Sequence, residues 1–192
     1  MSTKFEERLN QVLPRLASPD VLSNRGAGGE IGFWVFDYPP EQEMQMRAWI
    51  TDVIEPELPK RKPGIRFKVI DLFEFVIELL EERNLLDKAF AKQMNEGDEA
   101  VLKSLRPVLK EDKLAARLVE VAGLQNLDLL LIKGVGAVYP MLRTHTLLSA
   151  LHPHMRDKPL VMFYPGRYDG QSLRLFNKLT DDNYYRAFSL VS

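Results

Sequence analysis

Cysteine is absent from this sequence of 192 residues, and its absence excludes several kinds of protein. A disulfide framework, a thiolate zinc site and a cysteine nucleophile all require it, and its absence suits the reducing cytoplasm. Long apolar runs are missing as well, since the stretch at residues 127–132 is far too short to span a bilayer. Residues 1–10 carry charge throughout and lack the apolar core of a signal peptide. We therefore expect a cytoplasmic protein that is neither exported nor embedded in a membrane.

Net charge is almost as scarce, because 26 lysines and arginines face 27 aspartates and glutamates. A formal charge of −1 gives no general attraction to nucleic acid, and no DNA- or RNA-binding motif is recognisable, so direct nucleic-acid binding is not expected. The charges are nevertheless unevenly placed. Residues 71–99 hold nine acidic and three basic side chains, and residues 143–186 hold seven basic and four acidic ones. Such segments indicate either solvated surface or docking surfaces for a charged partner.

What the sequence does contain is an alternation of strand and helix patterns. Short runs rich in β-branched and aromatic residues predict five strands, at residues 31–36, 65–70, 127–132, 160–163 and 185–191. The almost wholly apolar run at 127–132 indicates burial on both faces, which favours a parallel sheet between helices.

The fold class that follows is α/β, in a single domain over residues 1–192. We predict a mostly parallel five-stranded sheet flanked by helices, Rossmann-like or P-loop-like but without a phosphate-binding lysine. Two or three further helices are expected at about residues 85–122, as a helical insertion.

Caps and breakers set the expected ends of the helices. Asp71, with a glutamate three residues on, has the pattern of a capping box, and Gly123 is expected to end the last helix before the third strand. Pro14 should bend or end the first helix. The helix that follows the first strand should stop near Pro56 and Pro59.

Ligands of a parallel sheet bind where the strands end, because every strand delivers its carboxyl end to the same edge. In this sequence that edge would collect Asp37, Tyr38, Asp71, the turn at residues 134–136 and Tyr164. A Tyr-Pro pair occurs at Tyr38, Tyr139 and Tyr164, and proline favours an extended conformation for the residue before it. These tyrosines are interpreted as rigid exits from strands that either anchor a partner or close the strand edge.

The turn at Gly134 and Gly136 stands where a nucleotide-binding loop would. It lacks both the third glycine of the dinucleotide fingerprint and the Gly-Lys-Ser/Thr ending of a P-loop, so ATP hydrolysis is not expected. A tight turn before a helix explains the glycines equally well. Binding of a nucleotide or phosphate by backbone amides and Arg143 is kept as an alternative.

No other constellation predicts catalysis or metal binding. His152 and His154 straddle a proline, but a zinc site needs a third ligand at a suitable spacing, and none is evident. The serines lack the Gly-x-Ser-x-Gly elbow of hydrolases. Asp37 and Asp71 could pair around magnesium, although Asp71 already has a role as a helix cap. No catalytic residue, metal site or cofactor is therefore predicted.

Three stretches resemble a known family. Residues 134–145 (GVGAVYPMLRTH), residues 163–176 (FYPG, then YDGQSLRLF) and residues 183–188 (NYYRAF) look like the signatures of BrxB proteins from bacteriophage-exclusion (BREX) systems. The resemblance extends along essentially the whole chain and is most specific in its last third. Within these motifs the sequence shows no large departure from the family.

The resemblance implies a role in phage defence. BREX protects bacteria from phage and accompanies methylation of host DNA, and BrxB stands beside a large ATPase (BrxC), a methyltransferase (PglX) and an alkaline-phosphatase-superfamily protein (PglZ). BrxB has no established catalytic motif, so the implied role is a non-catalytic adaptor or scaffold. PglZ is the first expected partner, followed by BrxC or PglX.

Two functions are carried forward: this adaptor, and a degenerate nucleotide- or phosphate-binding domain at the carboxyl-terminal edge of the sheet. The candidate residues for binding a partner or ligand are Asp37, Tyr38, Gly134, Gly136, Tyr139, Arg143, His145, Tyr164, Arg167 and Arg174.

Overall fold

A computed structural model of the chain describes residues 4–23, 33–180 and 187–191. In these residues the strands are β1 Phe33–Tyr38, β2 Phe67–Asp71, β3 Leu129–Lys133, β4 Leu160–Tyr168, β5 Leu173–Leu175, β6 Leu179–Thr180 and β7 Phe188–Ser189. Five of them form a parallel sheet in the order β2-β3-β4-β1-β7. The short strands β5 and β6 extend it by antiparallel pairing from the far end of β4.

Helices cover both faces of this sheet. They are α1 Lys4–Leu16, α2 Pro19–Leu22, α3 Glu43–Trp49, α4 Glu55–Arg61, α5 Leu72–Glu82, α6 Leu86–Glu96, α7 Asp98–Leu105, α8 Glu111–Ala122 and α9 Thr144–Met155. Because side chains alternate along a strand, Phe33 and Val35 pack with α5, α8 and α9, whereas Trp34 and Phe36 pack with α1 to α4. The predicted α/β class is confirmed. In the described residues no helix is both long and apolar enough to cross a membrane.

The predicted strands all have counterparts, with two corrections. Residues 31–32 and 185–186, at the beginnings of two predictions, lie outside the described residues, as does the glycine-rich stretch at 26–29. β5 and β6 were not predicted, because runs of three and two residues are too short to show alternation.

The second correction concerns β4, which was expected to end at residue 163 but continues to Tyr168. Pairing of β3 with β4 ends at Met162, so Pro165, which has no N–H, does not interrupt that ladder. Beyond Met162, β4 follows β1 as far as Pro165 and then pairs with β5.

The helix after β1 passes the prolines that were expected to stop it. A π-helical segment, Ile50–Ile54, joins α3 to α4, and the Glu55 amide donates to the Ile50 carbonyl five residues back. Pro56 follows this segment directly, as the second residue of α4, and the helix includes Pro59 before it ends at Arg61. The helix thus ends close to Pro59, as predicted, but it passes through both prolines and is not broken by either.

The caps are as predicted, whereas Pro14 is not a break. Asp71 Oδ1 accepts hydrogen bonds from the amides of Phe73 and Glu74 at the start of α5. Gly123 ends α8 in the left-handed conformation, with φ at +63°. Helix α1 continues through Pro14 to Leu16.

Candidate functional site

The carboxyl-terminal edge of the sheet is held together by its own side chains, beginning with Asp37. The Asp37 carboxylate accepts a hydrogen bond from Arg8 of α1 and, at 3.0 Å, one from the Tyr168 amide of β4. Arg8 also donates to the Asp37 carbonyl at 2.8 Å and to the Val191 carbonyl at 3.3 Å. Arg8 and Asp37 together therefore fasten α1 to β1, to β4 and to the residue Val191 after β7, and Asp37 does not face an open site.

Tyr38 begins a polar chain that runs beside this edge. Its hydroxyl donates to Glu43 at 2.6 Å, and the other oxygen of Glu43 accepts from Arg47 at 2.6 Å. Arg47 in turn donates to Asp71 Oδ2 at 3.3 Å. Burial, and then the neighbouring Glu43 carboxylate, raise the pKa of the Tyr38 hydroxyl far above its ordinary value, so it acts as a permanent donor.

Both carboxylate oxygens of Asp71 therefore accept hydrogen bonds, one from the amides at the start of α5 and the other from Arg47. Its side chain is almost fully buried. Strands β4 and β3 lie between β1, which carries Asp37, and β2, which ends at Asp71. The pairing of Asp37 and Asp71 around a magnesium ion is therefore not supported by the structure, because each carboxylate belongs to a separate network.

The glycines of the turn after β3 are explained by close packing. Gly134 has φ at +75°, and a Cβ placed on it would lie within 2.9 Å of the Asp71 Cγ atom. A Cβ on Gly136 would come within 2.7 Å of the Phe176 ring and 3.0 Å of Pro165. The turn thus closes directly on β2 at Gly134, and on Pro165 of β4 and Phe176 just after β5 at Gly136, which is the tight-turn interpretation.

The three tyrosines that precede prolines occupy different environments. Tyr38 ends β1 and is buried, as predicted for an exit from a strand. Tyr164 lies inside β4 and is buried in the core beneath α5, α8 and α9, so its interpretation as a strand exit is wrong. Tyr139 is partly exposed and is joined to Pro140 by a cis peptide bond.

Tyr139 and Arg143 are the candidates that the structure brings together at the surface. Both line an open cavity of about 460 Å³, together with Arg106 and Glu111. Arg143 is exposed and immediately precedes α9, whereas His145, in the first turn of that helix, is buried. Only Arg143 and Tyr139 of this group are therefore placed to meet another molecule.

Arg167 and Arg174 form a second surface feature. They are directly opposite each other in the antiparallel pair of β4 and β5, and both are exposed. No carboxylate forms an ion pair with either arginine among the residues that the structure describes. Like charges directly opposite each other disfavour a strand pair. Sequence reasoning named both arginines but not their juxtaposition, because β5 was not predicted.

His152 and His154, which straddle a proline in the sequence, have different surroundings in the structure. The His152 ring packs 5.8 Å from the Phe33 ring, and His154 lines a cavity of about 500 Å³ at the end of α9. Over residues 4–23, 33–180 and 187–191, no group of three or more histidine or acidic side chains is placed to hold a metal ion.

Sequence reasoning missed the residues that organise the edge, namely Arg8, Glu43 and Arg47. Glu43 and Arg47 are four residues apart on one helix, an ordinary spacing for a surface ion pair. Arg8 contacts Asp37 across 29 positions of sequence, so no local pattern could have indicated the contact.

Comparison with known proteins gives one family. The family model described as "BREX protein BrxB" matches residues 68–190. A curated relative with that description, from Bacillus cereus (strain H3081.97), is 38% identical over 190 residues, which cover 98% of each chain. Another, from Escherichia coli O9:H4 (strain HS), is 36% identical over 187 residues, or 97% of this chain and 92% of its own. No solved structure gives a significant match.

Proposed function

The chain belongs to the BrxB family of the BREX phage-defence system, and on that premise we propose that it acts as a non-catalytic adaptor, binding other BREX proteins in the cytoplasm. PglZ is the first partner that we propose, with BrxC and PglX as further ones. The adaptor performs no reaction and needs no cofactor.

One observation carries this proposal: the groups that would make a ligand site at the sheet edge serve the fold. Asp37 binds Arg8, Asp71 caps α5, and the Tyr38 hydroxyl is held by Glu43. Parallel α/β proteins that bind a ligand place free polar groups and open glycine loops at this edge. Here the turn at Gly134 is closed by packing, which also weakens the alternative of a nucleotide-binding domain.

The surface offers the features of a docking protein instead. Arg143, Arg167 and Arg174 are exposed in the basic last part of the chain. Complementary charge at an interface speeds association and selects partners. We propose that these arginines meet an acidic surface of a BREX partner.

Co-expression tests the proposal. The chain would be produced with PglZ and with BrxC, and the mass of each complex measured by size-exclusion chromatography with light scattering. We expect a stable, stoichiometric complex with at least one of them. A chain that stays alone with both, and also with PglX, would contradict the adaptor role, and a panel of nucleotides screened by thermal shift would then test the alternative.

Charge reversal refines this test. Arg143→Glu, Arg167→Glu and Arg174→Glu are expected to weaken the complex, because each places a carboxylate against an acidic surface. Normal complex formation by all three variants would show that these arginines are not the contact.

A further inference from the structure

Helix α6 buries its apolar side only in part. Leu86, Ala89 and Phe90 recur at helical spacing. Leu86 and Ala89 are half-buried and pack against the core, whereas Phe90 is 53% exposed. An amphipathic helix normally turns such a stripe toward a core, so the exposed part of this side, at Phe90, is available to another structure.

This side of α6 forms one wall of an open groove of about 420 Å³ between α5, α6 and α7. Phe73 and Ile77 line it from α5, Phe90 from α6, and Val101 and Leu102 from α7. We call this the α5–α7 groove.

Few polar groups line the α5–α7 groove. Two of them, Gln93 and Asp98, are bonded to each other at 2.8 Å. Sites for small molecules usually combine an apolar lining with a few polar groups that orient the ligand. With its polar pair occupied internally, this groove favours an apolar surface as occupant.

Negative charge follows the groove along α5. Glu74, Glu78 and Glu81 are exposed and occupy one side of the helix, next in sequence to the groove residues Phe73 and Ile77. Within the described part of the chain none of the three forms an ion pair. The exposed side of α5 next to its groove residues therefore carries three carboxylates that form no ion pair in the described residues.

We propose that the α5–α7 groove binds an amphipathic helix of another protein, with its apolar side chains in the groove and lysines or arginines facing α5. Helices recognised in this way insert a row of apolar anchors, and flanking charges set their orientation. The proposal rests on the adaptor function and names the surface and the kind of partner that it uses.

A second copy of the chain fits less well. The helix that a copy could offer is α6, whose two lysines are balanced by Asp87 and Glu96, and Lys92 already pairs with Glu96 at 2.8 Å. It therefore supplies no net positive charge to meet Glu74, Glu78 and Glu81.

Peptide binding tests the groove without the need to identify its natural partner. The probe is a synthetic amphipathic helix of leucine and lysine, compared with its leucine–glutamate counterpart. We expect the leucine–lysine peptide to bind the full chain, and Phe90→Asp to weaken that binding by about 30-fold or more, as for the loss of an interface hot spot. Met44→Asp is the matched control, because Met44 is 75% exposed on α3, away from the groove. It should bind the peptide like the unaltered chain.

Charge is tested separately with the variant Glu74→Lys, Glu78→Lys, Glu81→Lys. It should lose its preference for the lysine peptide over the glutamate peptide while its thermal unfolding stays cooperative. Equal binding of the leucine–lysine peptide by the unaltered chain and Phe90→Asp would overturn the proposal. So would a dimer of the chain that Phe90→Asp abolishes, since the occupant would then be a second copy.

The same variants separate this proposal from the adaptor function. If the unaltered chain and Phe90→Asp both form the complex with PglZ or BrxC, the adaptor function holds and the groove is not its docking site. If the unaltered chain forms no complex but binds the leucine–lysine peptide through Phe90, the groove is a helix-binding site and the proposed partners are wrong.

Discussion

Gly134 and Asp71 fix each other's identity, because the backbone of the glycine lies against the carboxylate that caps α5. A Cβ at position 134 would come within 2.9 Å of the Asp71 Cγ atom, and the backbone there has φ at +75°. Asp71 cannot retreat without losing the amides of Phe73 and Glu74. The glycine motif after β3 and the cap after β2 are thus two halves of one structural unit.

Gly134→Ala should accordingly destabilise the fold. The left-handed backbone and the steric conflict together are expected to lower the free energy of unfolding by about 2 to 4 kcal/mol. Gly123→Ala is the matched control, because Gly123 also has a positive φ but nothing within 4 Å of an added Cβ. It should cost only about 1 kcal/mol. Urea unfolding measures both, and equal losses would contradict the steric explanation.

Asp37→Ala should detach α1 from the sheet. The change removes the acceptor of both Arg8 and the Tyr168 amide, and we expect a loss of about 2 kcal/mol in the free energy of unfolding. Asp20→Ala is the control, because Asp20 also pairs with an arginine of α1 but is largely exposed. Its effect should stay within about 0.5 kcal/mol. Hydrogen exchange of the α1 amides should rise in Asp37→Ala alone.

Replacing one of the two facing arginines of the β4–β5 hairpin is expected to raise the stability of the fold while weakening partner binding. Arg174→Glu would place opposite charges across from each other and stabilise the hairpin by about 0.2 to 1 kcal/mol. Arg167→Glu should do the same, whereas the double variant restores like charges and loses the gain. A double-mutant cycle of unfolding free energies measures this coupling. If a single variant is more stable yet binds its BREX partner as before, Arg167 and Arg174 do not belong to the proposed interface.

Arg66 and Asp128 provide a pH-dependent link between the beginnings of β2 and β3. Hydrogen bonds from Arg66 lower the pKa of Asp128 to about 2, from an ordinary value of 3.8. The folded-state pKa is the lower one, so the pair stabilises the fold above pH 3.8 and loses this contribution as the pH falls toward 2. In Arg66→Gln, an NMR titration should show the pKa of Asp128 returning toward its ordinary value. An unchanged titration would rule out Arg66 as the cause.

Local signals were sufficient for much of this fold. The apolar run in β3, the cap at Asp71 and the glycine after α8 are each encoded within a few residues, and all appear as predicted. The sequence could not indicate which carboxylates form hydrogen bonds or ion pairs within the fold and are therefore unable to bind a ligand. Arg47 reaches Asp71 across 24 positions, and only the assembled sheet brings the two together.

The prolines show a different limit. Pro56 was interpreted by its usual effect on an α-helix, but a π-helical segment directly before it changes which amides need an acceptor. Pro165 was interpreted as the end of a strand, although the neighbouring ladder ends first, at Met162. In both cases the hydrogen-bond partners, and not the residue type, decide the outcome.

The pairing of β7 with β1 bears on how the protein folds during its synthesis. Arg15 and Arg8 of α1 donate to the carbonyls of Leu190 and Val191, respectively, which are synthesised long after α1. Leu190 also donates its amide to Val35 of β1. The nascent chain must therefore hold α1 and one edge of β1 without these final partners until translation has passed Val191. During that interval these surfaces are exposed to chaperones, and a transcript cut short before Leu190 yields a protein with that side of the sheet open.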